Sequence, residues 1–179
     1  MNKISQKVKL LIERVKESLL AALVALLISS FIICHTYVPT ESMMYTINPG
    51  EHFFVYRLPY YYRNPIRSEI AVFNYKGERF IKRVVGMPGD EINIIDNQVY
   101  INGQVLDESR YLAEDTKTFL YSASVIEFPY KIPKDYYFMM GDNRTNSTDS
   151  RVFGPIPRKD IVAKAGCRIF PLNQVGFVE

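Results

Sequence analysis

Cysteine and histidine are scarce in this 179-residue chain, which has two of each. Cys34, Cys167, His35 and His52 form no C-x-x-C or H-E-x-x-H spacing, so zinc peptidase chemistry is disfavoured and no metal is expected. A sortase-like site at Cys167 would need a histidine and an arginine around it. His52 and Arg168 exist, but no local signature joins them, and a buried structural cysteine is the plainer reading. Strong net charge is missing too: the formal value is +3, with no wide basic face, so nucleic acid is not implied. There is no internal repeat and no low-complexity segment. What remains, 47% hydrophobic and 13% aromatic, suffices for one domain plus an anchor.

Charge of either sign is also absent from Ser18 to Thr40, whose centre, Leu19 to Cys34, is almost wholly apolar. About 20 helical residues at ~1.5 Å each cross a ~30 Å hydrocarbon layer. Lys3, Lys7, Lys9, Arg14 and Lys16 precede this stretch, which predicts a cytoplasmic N-terminus and a translocated C-terminal part. The expected organisation is a basic cytoplasmic segment over 1–17, one transmembrane helix over 18–38 and an exported domain over 39–179. A cleaved export signal has the same basic-then-apolar order, but no clean small-x-small site lies near Cys34. A buried helix of a soluble protein is the other reading, though the stretch is apolar all round and has no polar stripe. With Cys34 in the anchor, a disulfide to Cys167 is not expected, and His35 falls at the membrane interface.

After Pro39 the helical period stops. Phe53–Tyr56, Ile70–Phe73, Arg79–Val85, Tyr136–Met140 and Ile161–Ala165 read as strands, separated by turn signals such as Asn48-Pro49-Gly50 and Met87-Pro88-Gly89-Asp90. Asn102-Gly103 between two short strands predicts a hairpin. The fold class is mainly β: a core sheet system with a smaller β-subdomain inserted over about 91–134, whose middle, Ser109 to Ser124, is polar and reads as loop. Arg57-Leu58-Pro59-Tyr60-Tyr61-Tyr62-Arg63 mixes aromatics with cations and reads as a membrane-interface loop or as an ordinary surface loop.

Three segments carry candidate chemistry. Ser42 sits in Val38-Pro39-Thr40-Glu41-Ser42-Met43, just beyond the apolar stretch. A serine hydroxyl is a poor nucleophile until a neighbouring base takes its proton, and a lone serine is usually a solvated loop residue. Lys82 lies in Phe80-Ile81-Lys82-Arg83, among apolar neighbours that suggest a largely buried strand. Neutralising an ordinary lysine at pH 7 costs ~4.6 kcal/mol, so a lysine base needs desolvation. Alternation along the strand sends Lys82 and Arg83 to opposite faces. The third segment, Gly141-Asp142-Asn143-Arg144-Thr145-Asn146-Ser147-Thr148-Asp149-Ser150-Arg151, packs turn formers and opposite charges into a compact loop; its plain alternative is a self-capping surface turn.

Together these segments, with Thr46-Ile47 after the serine, resemble the motifs of the type I signal peptidases, membrane-bound serine proteases with a lysine general base. The resemblance implies an antiparallel β catalytic core with a variable insertion, and an enzyme that cuts signal peptides from exported preproteins after small-x-small sites. It implies Ser42 as nucleophile and Lys82 as general base, with the Ser42 backbone N–H and the Thr40 hydroxyl as oxyanion donors. Ser147 would hydrogen-bond Lys82 and orient it; Arg83 would pair with Asp142, and Asp149 with Arg151. Val38, Met43, Ile47, Phe80 and Ile81 match positions lining the small-residue substrate pockets, although core residues would look the same. No cofactor is required. The partners implied are signal peptides, the lipid bilayer and a nearby secretion translocase, at the bacterial plasma membrane. Tyr45 stands where the family often has proline. An anchored β-domain that only binds exported chains, and a self-cleaving repressor using the same dyad, are the competing classes. The intact Ser42, Lys82 and Ser147 speak against the first, and the apolar N-terminus leaves no room for the DNA-binding module of the second.

Overall fold

The computed structural model describes residues 3–122 and 124–178. Positions 1, 2, 123 and 179, which fall in the expected basic segment, in the inserted loop and at the end of the exported domain, lie outside the described residues.

Helix α1 (Lys3–Phe31) holds Leu11, Leu19, Leu20, Leu26 and Phe31 on its exposed surface. Charged residues fill its first half, so its apolar part, Ser18 to Phe31, is only about 21 Å long, against a hydrocarbon layer of ~30 Å. Among the described residues no helix is long and apolar enough to cross a membrane. The expected helix over 18–38 ends sooner: α1 stops at Phe31, and Ile33–Tyr37 is a strand, β1, paired antiparallel with β2 (His52–Tyr56). The residues past Phe31 include Ile32, Ile33, Thr36 and Tyr37, β-branched and aromatic types that suit a pleated surface. Cys34 therefore sits opposite Val55 in a sheet rather than in an anchor. His35 hydrogen-bonds His52, Nε2 to Nδ1, at 2.8 Å.

Arg57–Arg63, expected as a loop, contains a short helix, α2 (Leu58–Tyr62), with proline in its first turn. Tyr60 is buried there, and its hydroxyl donates to Glu69. The chain continues through β3 (Ile70–Tyr75), β4 (Glu78–Gly86), β5 (Glu91–Ile95), β6 (Gln98–Ile101), β7 (Gln104–Val105), β8 (Tyr130–Lys131), β9 (Tyr136–Met140), α3 (Ser150–Phe153), β10 (Ile156–Pro157), β11 (Ile161–Phe170) and β12 (Gly176–Phe177). The main sheet runs β1-β2-β11-β3-β4-β9-β10, with β12 added beside β11. A second sheet runs β7-β6-β5-β8. Every strand pairing among the described residues is antiparallel. Asn102 and Gly103, at φ +52° and +80°, make the tight turn between β6 and β7, where both residue types tolerate positive φ.

The core follows from period-two burial. Ala71, Phe73, Val84, Tyr137 and Met139 pack on one side of the main sheet. Val85, Phe138 and Met140 of that sheet meet Ile92, Val99 and Ile132, which joins the two sheets through one apolar cluster. A third cluster of Val38, Met43, Ile47, Phe53, Ile70, Ala165 and Val178 lies under the segment that carries Ser42.

Candidate active site

Ser42 stands between two buried plugs, Val38 and Met43. Val38 is held by two main-chain bonds to the turn before β2: its N–H donates to Glu51 O at 3.1 Å, and its carbonyl accepts from Gly50 N at 2.9 Å. After the serine the chain coils tightly, with Ile47 N donating to Met43 O at 2.8 Å. Tyr45 within this coil is exposed and has φ +81°. Proline is locked near φ −65°, so the departure from the family's proline matches the backbone found here.

Lys82 lies on β4, opposite Ala71 of β3. Its Nζ donates to Ser42 Oγ at 2.5 Å and to the Ile81 carbonyl at 3.1 Å. Lys82 is 3% exposed and Ser42 8%. Burial pulls the Lys82 pKa down to about 8; Asp149 and Asp142 push it up, and Arg151 pushes it down. The neutral amine is therefore within reach near physiological pH, and on the same 2.5 Å line it can accept the Ser42 proton. Thr40 Oγ1 lies 3.3 Å from Ser42 Oγ.

The loop from Gly141 to Arg151 is held by ion pairs that are almost wholly dry. Arg83 meets Asp142 through two bonds of 2.9 and 2.7 Å, each side chain 1% exposed. Thr46 adds a third bond to that carboxylate at 2.6 Å. Asp149 meets Arg151 at 2.9 and 2.8 Å, accepts from Gly141 N at 3.0 Å, and caps α3 through Arg151 N at 3.1 Å. Breaking such a pair strands a buried charge at a cost of about 3–5 kcal/mol. Asn143 N donates to Ser42 O at 3.1 Å, and the Asn146 amide donates to the Glu41 carboxylate at 3.0 Å, so the loop grips both sides of the serine.

Ser147 is also buried, but its hydroxyl has no hydrogen-bond partner among the described residues, and the expected bond to Lys82 is not formed here. Gly141 packs directly against Ser147 and Ser42, a role no local pattern signals beyond its place in the motif. A Cβ at position 141 would overlap Ser147 Oγ and the Ser42 carbonyl oxygen, and would lie 2.7 Å from Ser147 Cβ. Gly141→Ala is expected to displace both serines, lowering stability by about 2 kcal/mol or more and activity further still. Thermal melts alongside cleavage rates would check this; wild-type values for both would refute it.

The five expected pocket residues separate. Phe80 and Ile81 line a groove of about 390 Å³ beside Ser42 and Lys82, together with Tyr37, Thr40 and Asn146. Val38, Met43 and Ile47 are instead fully packed in the cluster below the serine and do not line that groove. Among the described residues no group of three or more His, Cys, Asp or Glu could hold a metal ion. Residues outside the expected set reach the loop from the insertion, among them Glu108 and Thr118, which both bond Arg144.

A family model described as "Signal peptidase, peptidase S26" matches residues 11–170. The chain is 34% identical to the "Probable signal peptidase I-2" of Synechocystis sp., covering 91% of this chain and 75% of that protein. It is 36% identical to the "Signal peptidase I" of Bacillus amyloliquefaciens, covering 89% and 88%, and 35% identical to the "Signal peptidase I S" of Bacillus subtilis, covering 94% of each. Among solved structures, a signal peptidase I from Enterococcus faecalis aligns with 57% of this chain and 97% of its own, at 30% identity and a TM-score of 0.47. The match over most of the sequence settles kinship: the chain belongs to the signal peptidase, peptidase S26, family of hydrolases.

Proposed function

We propose that the protein is a membrane-held serine endopeptidase that removes N-terminal signal peptides from exported preproteins, with Ser42 as nucleophile and Lys82 as general base. One observation carries this reading: a buried lysine with a lowered pKa has its amine 2.5 Å from the hydroxyl of a buried serine. Neutral Lys82 takes the Ser42 proton as Oγ attacks the scissile carbonyl. The Ser42 N–H and the Thr40 hydroxyl are the proposed donors to the oxyanion, a stabilisation worth about 2.7–4 kcal/mol per donor. The resulting ammonium returns its proton to the departing amine, leaving an acyl-Ser42. Lys82, neutral again, deprotonates water for attack on the acyl group; that proton returns to Ser42, and the free carboxyl end of the signal peptide leaves.

Ser147 is the proposed orienter of Lys82, its unpartnered hydroxyl coming to the amine when substrate closes the site. Phe80 and Ile81 are the proposed walls for small side chains before the cut. The exposed apolar side chains of α1, following basic residues, favour contact with an anionic bilayer, where a signal peptide's own apolar segment lies. A translocase nearby would supply the substrates.

The test is cleavage of a purified preprotein in detergent, with the new N-terminus mapped by mass. A single cut after a small-x-small site is expected, lost when either small residue is made bulky. A folded protein that cuts no preprotein, or cuts without regard to those residues, would refute the reading.

A further inference from the structure

The connection between β7 and β8 reads as polar loop in the sequence, yet part of it is fastened across the back of the catalytic loop. Glu108 binds both terminal nitrogens of Arg144, at 2.8 and 2.5 Å, and accepts from the Tyr111 hydroxyl at 2.7 Å. Thr118 accepts a further bond from Arg144 at 2.8 Å, and its own N–H donates to Asn97 O at 2.9 Å, which ties it to the second sheet. The Arg144 side chain is 0% exposed. Burial opposes its charge, and the Glu108 carboxylate more than offsets this, so its pKa stands above the ordinary value.

The same segment reaches the other two buried arginines. Arg151 donates to Phe119 O at 3.1 Å, and its guanidinium lies 4.8 Å from the centre of the Tyr121 ring. Arg83 lies 4.0 Å from the centre of the Tyr111 ring. Residues 108–121 thus form a strap over the three arginines that brace the site. The path inward is short. Arg144 Nε donates to Gly141 O at 3.0 Å, and Gly141 packs so closely on Ser42 O and Ser147 that an added Cβ would overlap both.

We propose that Glu108 is a positioning residue for the peptidase reaction: it fixes Arg144, which fixes Gly141 and holds the catalytic loop in register with Ser42 and Lys82. This rests on the Ser42–Lys82 reading above. Glu108 touches neither substrate nor reacting atom, so it acts on geometry. A shift of ~1 Å at a reacting group costs up to about 100-fold in rate. Loosening the loop would also admit water to Lys82, whose low pKa comes mainly from burial.

The experiment compares Glu108→Gln and Thr118→Val with Glu114→Gln, an exposed acid on the same segment, in the full chain in detergent, with Ser42→Ala in the same assay. Glu108→Gln is expected to lower kcat about 10- to 100-fold with KM changed less than about 3-fold, and to move the acidic limb of the pH–rate profile upward. Thr118→Val removes one bond without adding bulk and should move kcat and the limb the same way by a smaller factor; Glu114→Gln should change neither. If Glu108→Gln does not fold, Thr118→Val decides. Wild-type kcat and an unmoved limb in the folded variants would overturn the proposal while an inactive Ser42→Ala leaves the dyad standing. An active Ser42→Ala would overturn the dyad and the proposal with it.

Discussion

Ser42→Ala is expected to abolish preprotein cleavage, by a factor of about 10⁴ or more, while the protein folds as before. The size of the loss comes from covalent catalysis: without the hydroxyl no acyl-enzyme forms, and the remaining oxyanion donors and binding contacts supply only a residue of the acceleration. The stability change is small because the substitution removes a single oxygen and the backbone around it is held elsewhere. Val38 and Met43 stay packed, and the Asn143 N–H still meets the Ser42 carbonyl. A change within about 1 kcal/mol is expected. Cleavage assays paired with thermal melts make the measurement. A folded Ser42→Ala protein cutting at more than a hundredth of the wild-type rate would remove Ser42 from the nucleophile's role.

The second large effect concerns Lys82 and has two faces. The active form is the neutral amine, so kcat should rise with pH through about 8 and level off above it. At pH 7 about a tenth of a lysine with that pKa is neutral, some 300-fold more than for one with the ordinary value of 10.5. That gain has a stability cost, and its sign is fixed. The unfolded chain binds the Lys82 proton more tightly than the native one does. Stability should therefore rise with pH between about 8 and 10.5, and below 8 the buried ammonium costs on the order of 3 kcal/mol. Lys82→Met, of similar length and without charge, should accordingly be inactive and yet more stable than wild type at pH 7. Denaturant titrations at pH 7 and 10 should find the difference shrinking as pH rises. An active variant would place the base elsewhere; a less stable one would mean that Lys82 is not held against solvation.

The elements that could be read before the structure are those whose signal is local. Asn102-Gly103 announced its hairpin because the turn's positive φ angles restrict residue type. Alternation in β4 foretold that Lys82 and Arg83 part to opposite faces, and they do, Lys82 toward Ser42 and Arg83 toward Asp142. The misread stretch failed for the converse reason. From Leu19 to Cys34 an almost wholly apolar run has no period that separates a helix from a strand, so the sequence does not mark where α1 ends and β1 begins. Val38, Met43 and Ile47 were ambiguous because a pocket wall and a core plug demand the same side chains. The Glu108–Arg144 link left no trace at all, since its partners are 36 residues apart and a polar loop looks alike whether free or fastened.

Strand β1 also sets a unit of length. It begins two residues after α1 ends and finishes five residues before the nucleophile, and it is bonded along its whole length to β2, with Ile33 facing Tyr56 and Tyr37 facing His52. A strand so paired cannot gain or lose one residue without turning every following side chain over. The span between helix and nucleophile is therefore quantised, adjustable only in pairs of residues, or steps of about 7 Å. If α1 marks the membrane surface, related chains that differ in β1 by an even count would cut at distinct heights above it, and an odd count would require a compensating bulge.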